Sequence, residues 1–584
     1  MFYKFLAEYG IGGKFLKIIK NIYQDNNIFI KLSGGLTKPF LSTTGVKQGC
    51  VLSPIFFNLF INKLPEIYDN NVNSRNYCNP VSMKNNPINC LMWADDCAVF
   101  SRSESGLQNS ITQTVNFFTD LGLDVNVKKP KVMIFNPRGL GPNNFKKLKF
   151  SANNAPIEIC DKYTYLGLVF KPSGSTVHSQ KELLSKASKA WFSISGIIYQ
   201  NKKMPTKHSL QLLDSVCMPV GLYASEFLTP LSLPKSAFKD KNSLLKAWED
   251  YPLETINQRA CRTILSVSKK ATRLAVLSEL GRYPVFLNAL IASISYEWHL
   301  RHRAPSDSLA SLALSEMESW AESGHDCWLA RVKSISEQLN LKNLHAQLSP
   351  DSVRGQLKKV LRSKFELFWK DEVNSAKLGA DHVSHNKLRF YSQLKSCFKT
   401  ENYVEIVKNR NQRCWISRLR VSAHNLALEK LRYRRPPIPP ELRFCDYCGG
   451  GTQNLPKFQD NETHFLMECK TFEIKRACFL KRLECFVPNI NKMSKENQIK
   501  TMLCPVSPQA AKLVNKFIGI MFKARENIDN GENILSYPTW DPTQPNPFID
   551  HSLDNTTDSE QFSDLSFVSV SSVTSDCSTL SNLL

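Results

Sequence analysis

The stretch Cys90-Leu-Met-Trp93-Ala-Asp95-Asp96-Cys97-Ala-Val-Phe100 constrains this chain more than any other. Four apolar residues lead into two adjacent carboxylates and four lead out. The pattern predicts strands over 90–93 and 97–100, with the acidic pair at the turn between them. Neighbouring ionised carboxylates repel unless a cation sits beside them, and oxygen donors at a solvent-open tip suit Mg²⁺. Phosphoryl transfer uses such ions in pairs, about 3.5–4 Å apart, to stabilise the attacking and leaving oxygens. An Asp-Asp turn without chemistry is the plain alternative, because Asp is a favoured turn residue.

Upstream lies Gly45-Val-Lys-Gln48-Gly49-Cys-Val-Leu-Ser53-Pro54, followed by Ile55, Phe56, Leu59, Phe60 and Ile61. Gly45 and Gly49 permit close backbone approach, and Gln48 offers an amide to a base or sugar edge. Ser53 reads as a helix cap with Pro54 in the first turn. Before this block, Phe2–Ile22 is helical with a break at 10–13. Ile28–Leu32 reads as a strand turning at Gly34-Gly35 into Phe40-Leu41. After it, Leu107–Leu121 is an amphipathic helix, and Val132–Phe135 and Tyr163–Phe170 read as strands. This mixture ends near Pro172. From Gln180 to Arg435 the period is helical, and a Pro-rich stretch at 434–440 separates that region from a Cys/His cluster.

The cluster is spaced Cys445-x2-Cys448-x15-His464-x4-Cys469. Two thiolates on a knuckle turn, with an imidazole and a thiolate beside a helix start, suit tetrahedral Zn²⁺; buried unliganded thiols are the alternative. Just upstream, cations alternate with aromatics: Arg413-Cys-Trp415-Ile-Ser-Arg418-Leu-Arg420, then Lys430-Leu-Arg432-Tyr433-Arg434-Arg435. Such faces clamp phosphates and stack on bases, or are simply solvated helix surface.

Charge supports a polyanionic partner. Lys and Arg total 75 against 52 Asp and Glu, for a net charge of +23. From Asn527 onward there are nine carboxylates and no Lys or Arg, so the body ahead is more basic still. Nucleic acid is the natural partner for such a body, with a membrane surface, or a basic protein without a polyanionic partner, as the alternatives. The longest apolar stretch, 285–296, is broken by Asn and Ser and too short to span a bilayer, so no membrane partner is expected. The 17 cysteines, without an apolar leader at the start, point to a reducing intracellular compartment.

In their order along the chain, the Gly45–Pro54 block and the Trp93-Ala-Asp95-Asp96 hairpin resemble the palm of LINE-type (non-LTR) retrotransposon reverse transcriptases. Gly122-Leu-Asp124-Val-Asn126 with Lys129 resembles the family's next block, and Tyr163-Thr-Tyr165-Leu166-Gly167 its primer-grip strand. Tyr223-Ala-Ser-Glu226, Arg259-Ala-Cys-Arg262 and Leu280-Gly-Arg-Tyr-Pro284 resemble its post-polymerase helices, and the Cys/His spacing its C-terminal CCHC motif. The resemblance implies an α+β chain: a partial right-hand palm (1–172), a thumb-like helical region (173–300) and a basic helical region (301–440). A CCHC zinc module (441–480), a short helical segment (481–526) and a disordered acidic tail (527–584) complete it.

The resemblance further implies an RNA-directed DNA polymerase engaged in target-primed reverse transcription. Its cofactors would be Mg²⁺ at Asp95 and Asp96 and Zn²⁺ at Cys445, Cys448, His464 and Cys469. Lys129 would protonate the leaving pyrophosphate, although Pro130 departs from the family pattern. Gly45, Gln48, Gly49, Tyr165, Leu166, Gly167, Arg413, Trp415, Arg432, Arg434 and Arg435 would contact nucleotide or nucleic acid. Partners would be RNA template, DNA primer or target, and dNTPs, in the nucleus for integration and the cytoplasm for ribonucleoprotein assembly. The family's third carboxylate comes from a strand upstream of the helix that opens this sequence, and Asp25, in a polar turn, does not replace it. The expectation is therefore an N-terminally truncated polymerase, inactive alone. The alternative is a non-catalytic, zinc-dependent nucleic-acid-binding protein derived from such an element.

Overall fold

The computed structural model describes residues 2–24, 26–42, 45–47, 49–123, 125–126, 129–135, 148–341, 352–376, 386–448 and 458–530. Its first part alternates short helices with hairpins. Helices Phe2–Glu8, Gly13–Tyr23 and Ser53–Ile61 meet around Leu6, Ile19 and Phe56. Between them Asn27–Ile28 pairs with Phe40–Leu41, and Lys31–Leu32 turns back on Gly35–Leu36. Helix Glu104–Asp120 starts where Ser103 accepts the amide of Gly106 at 3.2 Å, a cap supplied by the sequence itself.

The strands differ from expectation at two places. Tyr163–Phe170 is a hairpin, Tyr163–Tyr165 against Leu168–Phe170, because Leu166 (φ +46°) and Gly167 (φ +77°) turn the chain. Of 132–135 only Val132 pairs: the strand is Lys131–Val132, parallel to Ala155–Ile159, which also pairs with Phe150–Ala152. Among the described residues, strands form hairpins and this one three-stranded sheet, not a continuous sheet.

From Val177 onward the fold is helical. In Val177–Gln200 the buried residues Leu183, Ala187, Trp191, Ile194 and Ile198 recur every three or four positions, one apolar stripe facing the core. Val285–His302 is buried on nearly every side. It packs against the Ser225–Ser232 and Val353–Ser375 helices. A single hydrophobic core runs from Ala187 to Ala524 and takes in Cys445, Phe465 and Phe472 of the Cys/His region. The expected separation at 440 is therefore absent in packing. The expected boundary at 300 falls inside Val285–His302, and the last helix runs to Asp529, past 526. The rest of the expected tail, 531–584, lies outside the described residues. No helix among the described residues is long and apolar enough to cross a membrane.

Candidate active site and metal centre

Strands Cys90–Trp93 and Asp96–Val99 pair with Cys90 opposite Val99, Met92 opposite Cys97 and Trp93 opposite Asp96. Successive side chains alternate between faces. Cys90, Met92, Cys97 and Val99 therefore point inward, packing on Tyr68, Cys78 and the Phe117-Phe118 end of the Glu104–Asp120 helix. The other face carries Trp93 and Asp96. Ala94 and Asp95 form the two-residue turn, with Ala94 left-handed at φ +50°. Asp95, Asp96 and Trp93 are all exposed, Trp93 at 68%. The inner face anchors the hairpin, and the acidic pair is presented to solvent as the sequence predicts.

The neighbouring blocks surround this tip to different extents. Burial raises the Tyr165 phenol above its ordinary value, and the Asp96 carboxylate adds to the shift. The turn of the 163–170 hairpin is held from the helical region: Tyr223 donates its hydroxyl to Leu166 O at 2.8 Å. A Cβ on Gly167 would lie 3.3 Å from the Tyr223 ring. Gly45 (φ +81°) and Gly49 (φ +77°) are both left-handed and exposed, with open space where a Cβ would be, so backbone conformation requires glycine there. Ser53 does not cap its helix. Its hydroxyl instead donates to Lys47 O at 2.6 Å and meets Tyr23 Oη at 3.1 Å. Lys129 is exposed in a turn whose amide donates to Asn126 O. Gln48, Asp124 and Asp25 lie outside the described residues.

The second site is assembled from distant sequence. Cys469 N donates to His464 O at 2.8 Å, a wide helical turn that brings His464 and Cys469 to one side. The backbone at Cys445 is held by a pair of bonds, Cys445 N to Phe458 O and Asp460 N to Arg443 O, around the single bridge Phe444–Gln459. The result is four ligand atoms all within 4.8 Å of one another. Cys445 Sγ lies 4.0 Å from Cys469 Sγ, and Cys448 Sγ 3.2 Å from His464 Nε2. Tetrahedral zinc with Zn–S near 2.3 Å sets S···S distances at about 3.8 Å, so the donor set fits that ion. His464 Nδ1 faces Glu468 at 3.9 Å, which leaves Nε2 for the centre.

A cation that the motif does not reveal completes this site. Arg525, from the last helix, donates to Asp460 at 2.9 and 2.8 Å and approaches Cys445 Sγ at 3.6 Å. Its guanidinium also lies over the rings of Tyr447 and Phe465. Three thiolates and a neutral imidazole would leave a zinc site with one net negative charge, and the guanidinium of Arg525, held by Asp460, faces it through Cys445 Sγ. No spacing rule links Arg525 to Asp460, 65 residues away.

The basic stretch upstream is corrected by the fold. Arg413 is 1% exposed and donates to Thr206 Oγ1 and Ile264 O, and burial pulls its pKa down to about 10. It cannot clamp a phosphate from inside the core. Trp415 stacks on Phe522 (4.9 Å, 15°), with Arg418 over its ring. A Cβ on Gly519 would lie 2.7 Å from its indole nitrogen. Trp415 therefore anchors the last helix rather than offering its ring to a base. Arg432 is paired with buried Glu429 at 3.0 Å, while Arg434 and Arg435 are exposed.

Comparison with known proteins bears on the first site. Residues 3–170 match the reverse transcriptase (RNA-dependent DNA polymerase) family. Over 127 residues the chain is 29% identical to the retrovirus-related Pol polyprotein from type-2 retrotransposable element R2DM of Drosophila melanogaster. That stretch is 22% of this chain and covers only 11% of the polyprotein. The family match ends where the last hairpin ends, at Phe170, and contains Asp95 and Asp96.

Proposed function

We propose that the chain is the nucleotidyl-transfer and nucleic-acid-holding part of a retrotransposon RNA-directed DNA polymerase. Residues 3–170 match the reverse transcriptases and have a relative in a non-LTR retrotransposon polyprotein. The observation that carries this reading is the exposed Asp95-Asp96 pair at the tip of a hairpin inside the matched segment. Their oxygens are hard donors suited to Mg²⁺. Two such ions, when bound, supply charge stabilisation to the attacking 3′-hydroxyl and the leaving pyrophosphate. Tyr165, Leu166 and Gly167 hold the primer beside Asp96, Gly45 and Gly49 shape the nucleotide loop, and Lys129 donates the proton to pyrophosphate. Arg434 and Arg435, exposed and just ahead of the Cys/His cluster in sequence, hold template RNA or target DNA. Copying takes place at a nuclear target and assembly with RNA in the cytoplasm.

Zinc at Cys445, Cys448, His464 and Cys469 is part of the proposal. Bound there, it ties the knuckle to the helical body and has no part in the transfer step.

The converging Cys445, Cys448, His464 and Cys469 also fit a second reading, a zinc-dependent nucleic-acid-binding protein without catalysis. Primer extension on an RNA template with Mg²⁺ and four dNTPs separates the two. If the chain extends the primer, Asp95→Ala should cost about a thousandfold, several kcal/mol of transition-state stabilisation. Extension that survives Asp95→Ala would remove the catalytic assignment, and a chain that binds RNA without extending the primer would leave the binding-protein reading.

A further inference from the structure

A groove of about 860 Å³ opens in the helical body, walled by the separate stretches 205–222, 280–288, 358–362 and 400–408. Its walls are fixed to one another. Gly281 is left-handed (φ +57°), and a Cβ there would stand 2.5 Å from Thr400 N. Thr400 Oγ1 donates to Leu280 O at 3.1 Å, and Glu401 N to Glu279 O at 3.0 Å. The Leu280-Gly-Arg-Tyr-Pro284 sequence thus locks one wall onto the next, a role that the catalytic reading does not use.

The lining is cationic over an apolar floor. Leu210, Met218, Leu222 and Val404 lie alongside Lys207, Arg282, Lys358, Arg362 and Lys408, with Asp214 and Glu405 as the only carboxylates of the lining. Arg282 is committed, since it donates to both oxygens of Asp214 at 3.1 and 2.7 Å. Lys207, Lys358 and Lys408 are exposed and form no salt bridge among the described residues. Arg362 lies 4.5 Å over the ring of Tyr283, which is itself fixed by Phe398 (4.9 Å) and a hydrogen bond to Glu366. Its guanidinium is therefore held in place, which lowers the entropy lost when it grips an oxyanion.

We propose that this groove binds a single strand of RNA or DNA through its phosphates. Four cations not committed to a carboxylate, drawn from three stretches of chain around an open trough, match a repeating polyanion better than one compact anion. Leu222 lines the groove, and the next residue, Tyr223, holds the turn of the 163–170 hairpin, so one end of this wall is tied to the polymerase segment. A strand in the groove would leave towards that turn. This direction rests on the polymerase reading, while the binding itself does not.

The test is fluorescence anisotropy of the full chain with labelled single strands of about 16 nucleotides, RNA and DNA separately, and with a duplex of equal length. Lys207→Gln/Lys358→Gln/Lys408→Gln should weaken single-strand binding at least about tenfold at low salt. It should also flatten the slope of log affinity against log salt by roughly two units, about 0.7 per lost phosphate contact. Arg434→Gln/Arg435→Gln reports on the other basic surface and should leave the groove's share of the slope intact. Cross-links from a photoreactive strand should map to 205–222 or 400–408, a readout that needs no variant to fold. Parental affinity and slope in the triple variant, cross-links confined to other segments, or equal affinity for duplex would each overturn the proposal. Asp95→Ala should keep the binding, so a failure of catalysis and a failure of the groove are separate results.

Discussion

Arg420 is fully buried, with Nε and Nη2 on the two oxygens of Glu279 (2.9 and 2.8 Å) and Nη2 3.0 Å from Glu401. Burial alone would raise the Glu279 carboxyl, but Arg420 overcomes it and holds the group below its ordinary value. The stability this contributes is present above the unfolded carboxylate pKa and is lost as pH falls below it. Removing one member of such a pair strands the other charge, so Arg420→Gln should cost about 3–5 kcal/mol in denaturant unfolding. The salt slope of nucleic-acid binding should not change, because this cation never meets phosphate. Glu254 has the opposite sign. Burial raises it to about 6, despite bonds from Asn257 and the Phe286 amide. Between its ordinary value of 4.5 and about 6 the folded state binds more protons, so this group's contribution to stability falls as pH rises through that window. Glu254→Gln removes the titration. The difference in unfolding free energy between the two proteins should therefore shift by about 2 kcal/mol towards the variant from pH ~4 to ~7.

Between elements, the contact that matters most is that of the Pro508–Asp529 helix with the Cys/His centre. Ser507 caps the helix by accepting Ala510 N, Pro508 starts it, and Val514, Phe517, Ile518 and Met521 bury its stripe. Its penultimate turn delivers Arg525 to Asp460 and Cys445 Sγ. With zinc in place, Arg525→Gln should weaken zinc affinity about 10–100-fold, measured by competition with a chromophoric chelator. Cys448→Ser should release the ion. In both cases amide exchange in 508–529 should speed up, because metal binding to the folded form is folding free energy for what it holds. Unchanged exchange after complete zinc removal would show that the helix is held by its apolar stripe alone.

Across the whole molecule, apolar burial is uneven. Residues up to 170 bury three small, separate clusters, around Leu6, Leu64 and Val115, whereas the body gathers most of its buried apolar side chains into one large core from Ala187 to Ala524, with a smaller cluster around Leu329. Stability tracks buried apolar contact, so 2–170 should open first. Hydrogen exchange or limited proteolysis should show early loss there, then one cooperative transition for 177–530 that includes the Cys/His region. Separate melting of 441–480 would contradict the single core.

Much of the local structure was legible before any coordinates. The 90–99 hairpin, the helices at 53–61 and 104–120 and the four candidate Cys/His ligands could be read from alternation, helical period and spacing. These signals act over a few residues and are decided by backbone geometry. Ser53, placed as a cap, and Tyr163–Phe170, read as one strand, failed where a side-chain partner or a left-handed pair outweighed the pattern. The sequence by itself determined where the acidic tip and the candidate metal ligands would be, because each is written in neighbouring residues. Only the tertiary structure decided which cations face solvent. Arg413 and Arg420 look like a phosphate clamp in sequence and lie in the core, the latter on a carboxylate 141 residues away. Lys207 and Lys408 carry no motif and face one groove. Burial depends on what the rest of the chain brings alongside, and charge is worth most where water is excluded.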